Sequence, residues 1–67
     1  MKISARNVFD GTVKDIKKGA TTAHVVIDVS GTTVTASITN ESVDELDLKV
    51  GQKVKAIVKS SDVMVAV

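Results

Sequence analysis

The chain has 67 residues and a formal net charge of +1, with nine Lys and Arg residues against eight Asp and Glu residues. It has no cysteine and a single histidine, which excludes disulfides and thiolate metal sites and argues against a zinc site. The near-neutral balance gives no broad electrostatic field that would attract nucleic acid or an anionic membrane.

The small size of the chain points to self-association. A domain of this length buries only about 60% of its unfolded surface and is marginally stable alone. With disulfides and metals excluded, oligomerisation is the remaining source of stability. No segment approaches the roughly 20 apolar residues of a membrane span, and residues 1–6 lack the apolar run of a signal peptide. We therefore expect one domain over residues 1–67, in the cytoplasm and with no membrane partner.

Alternating β-branched residues predict three strands in the first half of the chain. The first strand runs from Phe9 to about Ile16, and Gly11 within it indicates a bulge or a close backbone approach. A turn at Lys17-Lys18-Gly19 follows. The next two strands form a hairpin about Ser30-Gly31. Alternation places these side chains on the inner faces of the hairpin: Ala23, Val25, Ile27 and Val29 on its first strand, and Val34, Ala36 and Ile38 on its second.

The second half of the chain adds a helix and two further strands. Residues 40–48 break the alternation and predict a helix of about two turns, capped by Thr39 or Asn40. Val54, Ala56 and Val58 form the inner face of a fourth strand. The run 63–67 is apolar on both faces and predicts a fifth strand, buried on both sides at a subunit contact. This order predicts an all-β fold: a small five-stranded OB-like barrel with one short helix between strands 3 and 4.

The chemically active side chains do not form a recognisable catalytic or metal site. His24 has no Ser/His/Asp or Cys/His arrangement to join, and we expect a surface or interface histidine. The acidic residues of the helix lack the loop pattern of a site for hard cations and are expected to be solvated; they are Asp44, Glu45 and Asp47. We expect no enzyme activity, no directly bound metal cation and no organic cofactor.

The barrel raises the alternative of a nucleic-acid-binding module. Such modules stack bases on aromatic side chains beside a basic groove. Phe9 is the single aromatic residue of this chain, and the charge is close to neutral. Composition therefore disfavours nucleic acid as a partner. A purely structural oligomerisation module with no ligand is a second alternative.

Two short segments at opposite ends of the chain each pair a cation with hydroxyl donors. Arg6 follows Ser4 and Ala5, and Lys59 precedes Ser60. A tetrahedral dianion such as molybdate, tungstate or sulfate offers only acceptors. Its site therefore needs cations, hydroxyls and backbone N–H groups, with no facing carboxylate. We interpret the two segments as halves of one oxyanion site.

Other polar residues are open to a similar interpretation and to a simpler one. Thr39 and Ser42 lie at the predicted helix N-terminus, which favours anions, although residues at such positions are more often plain helix caps. The Lys17-Lys18-Gly19 turn lacks the glycines of a P-loop. It is most simply a solvated turn, with a secondary anion contact through backbone amides as the alternative.

Three stretches in combination carry a family resemblance. They are Ser4-Ala5-Arg6-Asn7 with Gly11-Thr12-Val13, Thr35-Ala36-Ser37-Ile38-Thr39 with Ser42-Val43, and residues 48–54 leading into residues 56–64. Over nearly its whole length the chain resembles the molbindins, the free-standing Mop-domain proteins that bind molybdate and tungstate. Related regulators and transporters carry an additional helix-turn-helix or ATPase segment. The resemblance therefore implies a store or buffer for molybdate or tungstate, built as a single Mop domain over residues 1–67.

The resemblance also implies an assembly and two kinds of pocket. The family forms a homohexamer, a trimer of dimers, with oxyanion pockets at subunit interfaces. The positions that match the main pocket are Ser4, Ala5 through its backbone, Arg6, Thr39, Ser42, Lys59 and Ser60. A second pocket, on the three-fold axis, falls near Lys17, Lys18, Gly19 and Ala20.

Overall fold

The computed structural model describes residues 1–67 and contains one antiparallel sheet of four strands. The strands are β1 (Asn7–Lys18), β2 (Thr22–Val29), β3 (Thr32–Thr39) and β4 (Lys53–Val58), and their order in the sheet is β3-β2-β1-β4. The helix α1 (Asn40–Glu45) follows β3, and a single 3₁₀ turn (Ser60–Asp62) follows β4. The mostly β fold with one short helix between strands 3 and 4 is therefore confirmed.

The core lies on the face of the sheet that the alternation predicted. Val25 on β2 is 2% exposed, and Val13 on the neighbouring β1 is 1% exposed. The inward residues of β3 and β4 pack against them, and Val43 of α1 covers one end of the cluster. The buried residues are Val13, Ala23, Val25, Ile27, Val43 and Ala56. A period of two thus assigned the faces of three strands correctly.

Strand β1 contains the irregularity that Gly11 suggested, although the bulge itself lies further along. The register with β2 shifts between Val13 and Asp15, which leaves Lys14 as the extra residue. At Gly11 a Cβ atom would lie 2.6 Å from Ile27 Cγ2, so the glycine marks a close approach of β1 to β2. The strand also extends through Lys18, two residues beyond the predicted end, and the turn comprises residues 19–21.

The helix is shorter than predicted because it ends in a Schellman motif. Thr39 is its N-cap, and its hydroxyl accepts a hydrogen bond from the backbone N–H of Ser42. At the other end Asp47 has a φ of 52°, and the N–H of Leu48 donates to the carbonyl of Val43. This geometry stops the helix three residues before the predicted limit. None of the helical segments has the length and apolar content needed to cross a lipid bilayer.

The predicted fifth strand over residues 63–67 is wrong for the single chain. The segment has no strand pairing, and Met64 and Val65 are 93% and 89% exposed. The sheet therefore ends at β3 and β4 and does not close into a five-stranded barrel. The physical reason is that an apolar run indicates that burial is favourable but does not identify the surface that covers it. Within one chain no neighbouring strand forms ladder hydrogen bonds with the backbone of this segment.

Candidate functional site

The two ends of the chain meet at the start of β1. The last pair in the β1–β4 ladder joins Asn7 to Val58. The side-chain amide of Asn7 donates to the carbonyl of Val58 at 3.1 Å and lies 3.5 Å from Ser60 Oγ. Arg6 and Lys59 are the next residues along the two strands, just beyond this last pair. The segments 4–6 and 59–60 therefore leave the sheet at the same end, and we call Ser4, Ala5, Arg6, Lys59 and Ser60 the terminal group.

The cations of the terminal group are available for a ligand. The three ion pairs of the chain are Lys18–Asp44, Lys49–Asp47 and Lys55–Asp10, so neither Arg6 nor Lys59 is neutralised by a carboxylate. Both side chains are exposed, as are those of Ser4 and Ser60, while Ala5 is half-buried. Asp62 lies in the same 3₁₀ turn as Ser60 without pairing to Lys59. Two unpaired cations at the same end of the sheet attract an anion.

Thr39 and Ser42 form a second polar group, which we call the hydroxyl pair. The hydroxyl of Thr39 donates to Ser42 Oγ at 2.8 Å and accepts from the N–H of Ser42 at 3.0 Å. Both hydrogen-bonding functions of Thr39 are therefore used within the chain. The hydroxyl proton of Ser42 remains free, and Ser42 is the member of the pair that can donate to an external acceptor.

A single chain does not bring the terminal group and the hydroxyl pair together. The terminal group lies at the start of β1, whereas Thr39 pairs with Thr22 beside the turn that follows the end of β1. The twelve residues of β1 separate the two groups, and no hydrogen bond or ion pair joins them. A site that uses both groups therefore requires a second copy of the chain.

The predicted second pocket corresponds to a cavity at the β1–β2 turn. We call it the hairpin cavity; its volume is about 290 Å³, and it is lined by Lys17, Lys18, Gly19, Thr22 and His24. Three of the four predicted residues line it, and Ala20 does not. Lys18 Nζ lies 2.6 Å from Asp44 Oδ1 of α1, so its charge is already paired. Lys17 has no such partner.

Thr22 and His24 are the lining residues that sequence reasoning missed. His24 lies directly opposite Lys17 in the β1–β2 register, and Thr22 is on the same face of β2. The alternation of β2 had placed His24 on the outer face of the strand. The sequence did not give the β1–β2 register, which determines the residue of β1 that faces His24.

A larger cavity of about 730 Å³ contains none of the predicted site residues. Its lining combines two carboxylates with two lysines: Asp10, Gly11, Thr12, Asp28, Ser30, Lys53, Val54 and Lys55. The hydrogen bond and charge of Lys55, with a smaller effect of Lys53, hold the pKa of Asp10 below its ordinary value, against a weak opposing effect of burial. Because carboxylates face this cavity, it does not suit an oxyanion. No group of three His, Cys, Asp or Glu side chains is placed to hold a metal ion.

Comparison with known proteins gives concordant similarities in sequence and structure. A family model described as the TOBE domain matches residues 3–65. The chain is 47% identical to molybdenum-pterin-binding protein 2 of Clostridium pasteurianum over 66 residues, which cover 97% of each chain.

Two solved structures share the fold. A molybdate-binding protein from Sporomusa ovata superposes with a TM-score of 0.95 at 48% identity, covering 98% of each chain. The cytoplasmic molybdate-binding protein ModG, solved with molybdate bound, superposes with a TM-score of 0.90 at 43% identity. The match covers 96% of this chain and 46% of that one. Identities of this size over nearly the whole of this chain indicate common descent as well as a common fold.

Proposed function

Because the chain belongs to the TOBE domain family, in its molbindin group, we propose that it binds molybdate and tungstate as an intracellular store or buffer, without catalysis. The observation that carries this proposal is the terminal group, in which Arg6 and Lys59 each adjoin the last β1–β4 pair and neither has a carboxylate partner. The molybdate-binding relatives supply the ligand class. Residues 1–67 then act as one oxyanion-binding domain, and the likeness to cytoplasmic ModG supports a location in the cytoplasm.

The proposed main site is shared between copies of the chain. The terminal group of one copy supplies Arg6, Lys59, the hydroxyls of Ser4 and Ser60, and the backbone of Ala5. The hydroxyl pair of a neighbouring copy supplies Ser42, with Thr39 holding it in place. Charge-assisted hydrogen bonds to a dianion are shorter and stronger than neutral ones, and burial between copies protects them from salt. A homohexamer built as a trimer of dimers accommodates this sharing, with hairpin cavities meeting on its three-fold axis.

The donor set predicts which anions the main site selects. Every proposed contact donates, so the proton of hydrogen phosphate has no acceptor and would leave an unsatisfied group. Sulfate has the correct charge but is smaller than molybdate, and it should bind more weakly because its contacts are longer. We expect tight binding of molybdate and tungstate, weaker binding of sulfate and little binding of phosphate.

Isothermal titration calorimetry with these four anions tests the proposal. Arg6→Ala should remove most of the molybdate affinity of the main site while the circular dichroism spectrum is unchanged, since Arg6 is exposed and outside the core. Lys2→Ala removes an exposed cation four residues earlier and should bind as the original chain does. Equal affinity for phosphate and molybdate would contradict the donor-only site. Normal binding by Arg6→Ala would show that a different cation holds the anion.

Charge distribution argues against the alternative of nucleic-acid binding. Lys53 and Lys55 of β4 line the larger cavity, and they share it with Asp10 and Asp28. A phosphate backbone requires a continuous positive surface, which this cavity does not offer. A gel-shift assay with single-stranded DNA and RNA should show no salt-sensitive retention of the chain.

A further inference from the structure

The hairpin cavity presents less positive charge than its two lysines suggest. Asp44 accepts a hydrogen bond from Lys18 at 2.6 Å, so this pair contributes little net charge. Lys17 is the one unpaired cation that each chain brings to the cavity when His24 is neutral. A dianion is poorly matched by a single uncompensated charge.

The second ionisable lining group is His24, and its surroundings are specific. On β1 it faces Lys17 directly, with Asp15 one row further along and outside the cavity lining. On β3 it faces Ser37, which carries no charge. The α1 carboxylate that pairs with a lining residue of the cavity is Asp44, which is engaged by Lys18. Among the residues that face His24 across the sheet, Lys17 is the one with an uncompensated charge.

We infer that His24 is an anion-binding residue of the hairpin cavity and makes this site dependent on protons. This inference rests on the proposed function. When imidazole carries a proton, both of its nitrogens donate, and the side chain adds a unit positive charge beside Lys17. Protonation doubles the unpaired positive charge that each chain contributes. The hydroxyl of Thr22 adds a further donor to the lining, whereas the N–H of Gly19 already donates to the carbonyl of Thr22 at 2.7 Å.

Anion and proton then bind with positive coupling. A bound dianion that lies between the two side chains attracts both of them when His24 is protonated, and Lys17 alone when His24 is neutral. By thermodynamic reciprocity, an acidic shift tightens anion binding, and anion binding takes up protons from the buffer.

Calorimetry with molybdate at pH 8 and at pH 6 tests the inference. The titrations use the Arg6→Ala background, in which the main sites are removed, and are repeated in the original chain with native mass spectrometry to count bound anions. At pH 6 the remaining sites should bind molybdate about tenfold more tightly than at pH 8, as expected for one added charge at contact distance. A further titration at pH 7, carried out in two buffers of different ionisation enthalpy, should reveal proton uptake.

His24→Gln is the deciding variant because it keeps a polar side chain on an exposed strand position and removes the titrating group. It should bind equally at both pH values and take up no protons. Lys49→Gln removes an exposed cation that lies outside the cavity and should keep the full pH response.

The outcomes separate the inference from the proposed function. The role of His24 is overturned if His24→Gln keeps the pH response, or if the original chain shows no pH response. Either result leaves the proposal of molybdate binding intact. Molybdate binding at the main sites with none at the hairpin cavity also overturns the role of His24. Absence of molybdate binding at every pH would contradict the proposed function as well.

Discussion

Among single residues, Asp10 shows most clearly how one contact changes the chemistry of a side chain. It lies opposite Lys55 in the β1–β4 register, and Lys55 Nζ lies 2.5 Å from Asp10 Oδ1. The hydrogen bond from Lys55 and then its charge hold the pKa of Asp10 below the ordinary value of 3.8. A carboxyl with a lowered pKa in the folded state stabilises the fold above its unfolded pKa. That contribution is lost as pH falls below 3.8 through the folded value.

Lys55→Gln should therefore return the pKa of Asp10 towards its ordinary value. An NMR titration of the Asp10 carboxyl carbon measures this directly. Lys49→Gln disrupts the separate pair with Asp47 and should leave Asp10 unchanged. If the Asp10 titration is the same with and without the amine of Lys55, the ion pair does not persist in solution.

Gly11 is the residue whose lack of a side chain matters most to the sheet. A Cβ at this position would lie 2.6 Å from Ile27 Cγ2 and 2.7 Å from the carbonyl oxygen of Asp28, and the carbonyl cannot yield as a flexible side chain can. Gly11→Ala should lower the free energy of unfolding by about 1–2 kcal/mol, because overpacking outweighs the small gain from replacing a strand glycine.

Urea denaturation at fixed protein concentration measures this loss. The control is Gly31→Asn, at a turn position with a φ of 89° and no atoms within 4 Å of a new Cβ. Asparagine tolerates this conformation, so the change should be small. Equal stability of Gly11→Ala and the original chain would mean that β1 and β2 can separate at little cost.

At the scale of elements, the C-terminal segment 63–67 is the part of the chain that remains without a partner. Its apolar side chains are exposed in the single chain, beside the terminal group that we propose as half of a shared site. Exposed apolar runs of this kind are typical of protein interaction surfaces. A neighbouring copy is the partner that the proposed shared site requires.

Val65→Asp tests this role. Val65 is 89% exposed, so the change should leave the fold of the single chain intact. It should weaken self-association by at least tenfold, because a charge buried at an apolar contact is costly. Sedimentation velocity measures the assembly, with Gly31→Asp in the β2–β3 turn as the control for added charge. An unchanged assembly in Val65→Asp would place the subunit contact elsewhere.

At the scale of the whole molecule, the proposed main site implies that function belongs to the assembly. The terminal group and the hydroxyl pair lie at opposite ends of β1, so each chain supplies half of one site and half of another. Ligand that binds between copies should stabilise the assembly by mass action, and a native mass spectrum should show subunits and anions lost together.

Mixing two defective variants tests the shared site. Arg6→Ala removes one half and Ser42→Ala removes the other, so neither assembly should bind molybdate tightly at the main sites. Refolded together in equal amounts, they should recover about a quarter of those sites, because random mixing pairs two intact halves with that frequency. Recovery measured by calorimetry that stays at the level of the separate variants would place all ligands within one chain.

The sequence by itself determined the local structure of this protein. The period of two assigned the inner faces of β2, β3 and β4, and Thr39 was recognised as a helix cap, since both features depend on residues close together along the chain. The sequence also singled out the two segments of the terminal group, because a cation with hydroxyl neighbours is a compositional signal, and their role as a site stays a prediction.

Only the tertiary structure decided which distant residues meet. Strand order and register determine the bulge at Lys14 and the position of His24 opposite Lys17. They also bring Asn7 to Ser60, and the fold brings Lys18 to Asp44. The prediction of a fifth strand was wrong for the same reason. An apolar composition favours burial but does not specify the surface that covers the segment, whereas the hydrogen-bonded register of the strands determines which residue each side chain faces.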